Sequence, residues 1–201
     1  MAESSPETTV GFVGVHPSEA ERTPKLGWLP ELAKDARGIG EIGMDPKFSS
    51  VEEGGAQRKL FVDQLGLAEK FRLPIQVHTR GAEKLCLELL STRTLGRVLL
   101  HWFDGAEVAK VAADRGYFVS VGPAALYSRR IAAMAERYPT ELLLTESDGP
   151  VAFGALGGVS GPALIPSVVF RLSEVKKCGF EEMALTVVRN SMDFLGPPSK
   201  G

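Results

Sequence analysis

Cysteine is scarce in this chain: Cys86 and Cys178 are the only two among 201 residues. A pair this far apart reads as two reduced, buried thiols rather than as a disulfide. Long apolar runs are missing too. None approaches the roughly 20 residues of a membrane helix. The first nine residues are polar and acidic, so a cytoplasmic location is expected. Excess positive charge is also lacking, since 23 Lys and Arg face 25 Asp and Glu for a net charge of -2. That argues against a protein that coats nucleic acid by general basicity. A polyanionic substrate still fits if metal ions and a local basic rim face it. No Gly-x-Gly-x-x-Gly follows the first apolar run, which weakens a dinucleotide-binding reading. Histidine is nearly as rare as cysteine, with His16, His78 and His101 making up the full set of three.

What is present is a hydrophobic content of 44%, enough for one well-buried domain over residues 1–201. Short apolar runs at residues 10–15, 39–44, 75–78, 97–101, 117–121 and 141–145 read as strands. Between them lie helical patterns. In residues 56–72, Leu60, Phe61, Leu65, Ala68 and Phe71 recur at helical spacing, and Leu73-Pro74 stops the run. Residues 29–33, 82–90, 106–114, 128–137, 165–177 and 180–195 give further helices. Residues 46–55 and the glycine-containing stretch 149–161 read as exposed loops, the second as a lid or a long connection. Alternation of strand and helix predicts parallel βα units. An open doubly wound sheet and a TIM-type barrel both fit it. The barrel is favoured because its strand ends converge on one face.

Several of those strands end in side chains that bind metals. Ile39-Gly40-Glu41-Ile42-Gly43-Met44-Asp45 sets two carboxylates in an apolar run, where they are costly unless compensated. Ile75-Gln76-Val77 ends in His78, Val98-Leu99-Leu100 ends in His101, and Leu142-Leu143-Leu144-Thr145 leads to Glu146-Ser147-Asp148. Glu41, His78, His101 and Asp148 delivered to one place would make a hydrolytic metal site. Glu146 shares a strand face with Asp148 by alternation. Read blandly, Glu41 is a buried acid paired with an arginine, Asp148 a turn residue, and Arg129-Arg130 a solvated helix start. Trp102 and Phe103 suit barrel packing, or stacking on a base.

In order, Gly14-Val15-His16-Pro17, Gly40-Glu41-Ile42-Gly43-Met44-Asp45, Val77-His78-Thr79-Arg80, His101-Trp102-Phe103-Asp104-Gly105 and Glu146-Ser147-Asp148-Gly149-Pro150 form a set. With it go Gln57-Arg58, Phe61, Gln64-Leu65 and Leu67-Ala68, and later Thr186, Asn190 and Phe194. From about Val10 to Leu195 the chain resembles the TatD family of metal-dependent deoxyribonucleases. The resemblance implies an α/β TIM-type barrel of the metallo-dependent hydrolase kind, acting on phosphodiester bonds in DNA, with exonuclease character. It implies one or two divalent ions, Mg²⁺, Mn²⁺ or Zn²⁺. By motif, Glu41 is a carboxylate ligand able to bridge two metals, and His78 and His101 bind the second. Asp148 binds the first metal or positions the attacking water. Glu41 and Asp148 are the catalytic pair, while His16, Arg80 and Asp104 sit nearer the substrate.

One departure stands out. Family members begin with two more strand–helix units, many with His-x-His on the first strand. This chain has about six strands of eight and no His-x-His. An incomplete barrel exposes two strand edges. A sequence that starts late, a second chain closing the gap, or a degraded copy each account for that. Two other functions therefore stay open: an amidohydrolase-like enzyme for a small ester or amide, and a non-catalytic binding protein.

Overall fold

The computed structural model of the protein describes residues 9–22, 25–153, 155 and 157–197. The polar N-terminal stretch up to residue 8, Gly154 of the glycine-containing loop and Pro198 lie outside the described residues. The strands are β1 (Phe12–Val13), β2 (Gly38–Gly43), β3 (Ile75–His78), β4 (Val98–His101), β5 (Phe118–Val121) and β6 (Leu143–Thr145). They form a six-stranded sheet in the sequential order β1-β2-β3-β4-β5-β6. The β1/β2, β2/β3 and β5/β6 pairs are parallel. The helices are α1 (Leu29–Ala33), α2 (Ala56–Phe71), α3 (Glu83–Ser91), α4 (Ala109–Asp114), α5 (Arg129–Arg137), α6 (Ile165–Lys176) and α7 (Phe180–Leu195). No helix among the described residues is long and apolar enough to cross a membrane.

Several elements are shorter than their patterns predict, among them β6, which starts at Leu143 after a 3-10 turn over Thr140–Leu142 instead of at residue 141. The first strand keeps only Phe12–Val13 of the expected 10–15, because Pro17 starts a 3-10 turn whose cap is His16. The helix expected over 106–114 begins at Ala109. The stretch 149–161 is not all loop: β7 (Ala152–Phe153) and β8 (Gly158–Val159) pair antiparallel.

The chain divides into two compact units, Met1–Leu99 with Leu195–Gly201, and Leu100–Phe194. In the first, Ile39, Ile42, Ile75 and Val77 are fully buried in the sheet. Helix α2 packs on β2. Its inner face carries Leu60, Phe61, Leu65 and Ala68, but also Gln57 and Gln64, both fully buried. Buried amides need partners, and these two find them on the strand-end loops. The Gln64 side chain accepts from the Val15 amide at 2.6 Å and donates to the Val15 carbonyl at 3.0 Å. The Gln57 side chain accepts from the Asp45 amide at 2.8 Å and donates to the Asp45 carbonyl at 2.9 Å. Two turns of one helix thus fix the segments that carry His16 and Asp45. Arg37 and Arg97 hold the carbonyls of residues 195–197, closing the end of the last helix.

In the second unit, α6 packs on α5 and on β6. Leu143, Val168, Leu172 and Met183 are buried there. Asn190 of α7 donates to the carbonyls of Thr140 and Leu143, each at 2.8 Å, and so anchors the approach to β6.

Candidate functional site

In the first unit the site is built from three neighbouring strands. β2 carries Glu41, β3 ends in His78, and the turn after β1 starts at His16. The register of β2 against β3 slips between Ile39 and Ile42, a bulge that locally re-aims side chains around Glu41. Gly43 pairs with His78 in that register. Its φ is +140°, and a Cβ there would run into the His78 carbonyl. Only glycine lets the two strands close at this point.

The His78 ring is gripped from both sides. Nδ1 lies 2.6 Å from Glu41 Oε1, and Nε2 lies 3.0 Å from Asp45 Oδ2. Asp45 is 1% exposed and also accepts from the Lys47 amide at 2.8 Å. Burial of His78 pushes its pKa down, but the hydrogen bonds and charges of Glu41 and Asp45 outweigh it. The net result is a pKa above the ordinary 6.5. His16 completes the group. Its Nε2 is 3.8 Å from Glu41 Oε1, and its ring meets that of His78 edge-on at 4.9 Å between centroids. Its Nδ1 is 2.9 Å from Ser18 Oγ and 3.2 Å from the Ser18 amide. Among the described residues, His16, Glu41 and His78 form the one group of three such side chains whose ligand atoms all lie within 4.8 Å of one another.

In the second unit, β4 ends in His101 and the segment after β6 brings Glu146 and Asp148. Nδ1 of His101 lies 2.5 Å from Glu146 Oε2, and its Nε2 lies 3.4 Å from Asp148 Oδ1. The buried Ser120 of β5 donates to Glu146 Oε2 at 2.6 Å. Its Oγ also accepts from the Trp102 amide at 3.1 Å. Trp102 and Asp148 both have left-handed backbones, with φ of 41° and 49°. Non-glycine residues rarely take that conformation, and where they do it tends to be at functional sites. The other oxygen of Glu146, Oε1, is buried without a hydrogen-bond partner.

These groups fit a divalent cation. Imidazole and carboxylate are the donors of Zn²⁺ and Mn²⁺ sites, and an orphaned buried carboxylate oxygen is costly unless something positive meets it. Arg80, expected near the substrate, is exposed just beyond β3. Asp104, expected beside it in function, makes an ion pair with Arg130 at the start of α5. Arg130 stays exposed at the helix start while it makes this pair. His16, expected nearer the substrate, stands with Glu41 and His78. Asp45, Glu146, Ser120, Gln57 and Gln64 were not singled out as site residues. The available signals were the second carboxylate four residues after Glu41, the strand alternation of Glu146 with Asp148, and glutamines on an otherwise apolar helix face.

The family model of TatD related DNase matches residues 1–196. The chain belongs to that family. An uncharacterized metal-dependent hydrolase of Methanocaldococcus jannaschii is 26% identical over 188 residues, covering 90% of this chain and 74% of that protein. Human deoxyribonuclease TATDN3 is 30% identical over 158 residues, 77% of this chain. The match spans only 58% of the human protein. Among solved structures, the TatD homolog YJJV of Escherichia coli k12 superposes with a TM-score of 0.82 at 23% identity, over 97% of this chain and 81% of that one. That likeness shows the fold. The six sequential strands of this TatD-family chain make an α/β architecture, an incomplete TIM-type barrel.

Proposed function

We propose that this TatD-family chain is a metal-dependent hydrolase of phosphodiester bonds in DNA, working as an exonuclease in the cytoplasm. The observation that carries the reading is the meeting of imidazole with carboxylate in each of the two units. His78 lies 2.6 Å from Glu41, and His101 lies 3.4 Å from Asp148. The deoxyribonuclease name of the human relative supports the choice of substrate. The free thiols of Cys86 and Cys178 support the location.

Glu41 and His78, and His101 and Asp148, hold the cations in this reading, with Mg²⁺, Mn²⁺ or Zn²⁺ as candidates. A bound divalent ion lowers the pKa of its water and offsets phosphate charge. The protein's own groups do the rest. Asp45 keeps the His78 ring in place, and Glu146 does the same for His101. Asp148 takes the proton of the attacking water once within hydrogen-bond reach. Exposed Arg80 offers phosphate a forked donor. Asp104 meets the substrate as a pair with Arg130.

The test is metal analysis of the purified chain, with a nuclease assay on a linear DNA duplex and on single-stranded DNA. Degradation that requires added Mg²⁺ or Mn²⁺ and stops with chelator is the expected result. Turnover of a small-ester panel with no attack on DNA would overturn the substrate, and full activity in Asp148→Asn would overturn the mechanism.

A further inference from the structure

We infer that Phe48 is the surface on which an unpaired nucleobase of the substrate stacks, at the rim of the first unit. The inference rests on the DNA reading above and adds a substrate form to it: a single strand or a frayed end, not paired duplex. Read from the sequence, Trp102 and Phe103 are the aromatic side chains offered to a base. The structure uses Phe103 for packing, since it is 1% exposed and meets Tyr138 edge-on at 6.4 Å between centroids. Phe48, in the loop after β2, is 44% exposed. A single apolar side chain in water is ordinary on a protein surface. This one differs in how it is held and in what stands beside it.

The Phe48 amide donates to the Asp45 carbonyl at 3.1 Å and closes a turn. The buried Gln57 side chain donates to the carbonyls of Asp45 and Ser49, each at 2.9 Å. Both ends of the turn are thereby tied to α2, and the exposed ring has a fixed support. Its aromatic neighbour is His16, with centroids 5.5 Å apart and planes at 75°. His16 in turn meets His78 at 4.9 Å. Phe48 therefore stands one ring away from the imidazole–carboxylate group proposed to face the phosphate. A nucleotide whose phosphate sits at that group can lay its base on Phe48. Cations share the rim. Lys47 precedes Phe48 and is exposed. Pro46 of the same turn abuts the segment after β3, where a Cβ on Gly81 would come within 3.1 Å of the Pro46 ring. Exposed Arg80 leaves the backbone next to that contact. An aromatic platform with cations around it is the make-up of single-strand sites, where rings take bases and cations take phosphates. A base inside a duplex has both faces covered and reaches such a ring only after costly unstacking. Every base has a π-face, so the contact selects strand form and not sequence.

The experiment measures binding by fluorescence anisotropy, with Mg²⁺ present and phosphorothioate linkages to resist cleavage. The probes are a labelled single-stranded DNA oligonucleotide, the blunt duplex of the same sequence, and single strands that lack one base at each position in turn. The proteins are wild type, Phe48→Ala and Phe48→Trp. Phe48→Ala is expected to weaken single-strand binding by at least about tenfold. Phe48→Trp is expected to restore it, and duplex binding should change little. Removing one particular base should cost wild type as much as Phe48→Ala does, and should cost Phe48→Ala nothing further. That loss of additivity pairs the ring with the base, which a general weakening of the rim would not do. If Phe48→Ala binds the single strand as tightly as wild type, or weakens every abasic strand as much as the intact one, the inference is overturned and the DNA reading survives. If wild type binds neither strand form, both fall together.

Discussion

Nδ1 of His101 donates to Glu146 Oε2 across 2.5 Å, and the same oxygen accepts from Ser120 at 2.6 Å. The other ring nitrogen, Nε2, faces Asp148 Oδ1 at 3.4 Å. Glu146 is thus a positioning residue for the imidazole. Glu146→Gln keeps one oxygen that can accept from both donors but removes the negative charge that supports the imidazole. The expected result is roughly 10- to 100-fold weaker metal binding or activity, read by chelator competition and nuclease rate. Ser120→Ala removes one donor and leaves the carboxylate in place, so its effect should be smaller. Equal losses in the two variants would mean that Ser120, not Glu146, sets the ring.

Gln64 gives a second test, at a distance from the chemistry. It satisfies both polar groups of the Val15 backbone from a fully buried position. Gln64→Ala leaves the Val15 amide unpaired in an apolar setting, a cost of about 1–3 kcal/mol. Urea denaturation should show that loss. Gln64→Glu should recover only the bond to the amide. Unchanged stability in Gln64→Ala would show that water replaces the side chain there.

Much of this was legible beforehand. Glu41, His78, His101 and Asp148 are at the ends of apolar runs in the sequence; the structure puts His78 and His101 at strand ends, Asp148 three residues beyond β6, and Glu41 inside β2. The bounds of α2 and α7 follow from spacing, with Leu73-Pro74 ending one and Gly196 the other. What spacing cannot give is register. Whether Asp45 reaches His78, or Glu146 reaches His101, depends on how neighbouring strands slide, and β2 bulges where that is decided. His16 was placed by motif order, and only folding shows its ring against that of His78. The Asp104–Arg130 pair joins the end of one strand to a later helix, which no local pattern signals.

Gly43 supplies a third prediction. A methyl group there meets the His78 carbonyl, and the φ of +140° is strained for any L side chain. Gly43→Ala should destabilise the fold by about 1–3 kcal/mol from backbone strain alone. It should also loosen Zn²⁺ binding, since His78 is the residue displaced. A variant with a wild-type urea midpoint and wild-type Zn²⁺ affinity would rule out close strand approach as the reason for glycine.

The two thiols should differ in reactivity. Cys86 is fully buried, and burial pushes its pKa far above the ordinary value, so the nucleophilic thiolate is absent near pH 8. Cys178 is only partly covered, although burial and the nearby Glu182 raise its pKa too. Ellman's reagent added to native protein should therefore titrate Cys178 slowly and Cys86 not at all. Both should react in denaturant. Rapid reaction of Cys86 in native protein would mean that the α3 region opens readily.

Metal removal offers the last test. Without a cation, Glu41, Asp45 and the His78 ring must balance one another through hydrogen bonds alone, and Glu146 Oε1 has no partner. A ligand that binds the folded state selectively adds RT ln(1 + [L]/Kd) to its stability, about 2.7 kcal/mol at a hundredfold excess over Kd. Thermal unfolding should thus shift upward with added Zn²⁺ or Mn²⁺, in proportion to the logarithm of concentration once above Kd. Glu41→Gln should flatten that dependence, because it removes the carboxylate common to both imidazoles of the group. A dependence on metal unchanged in Glu41→Gln would place the stabilising ion elsewhere in the chain.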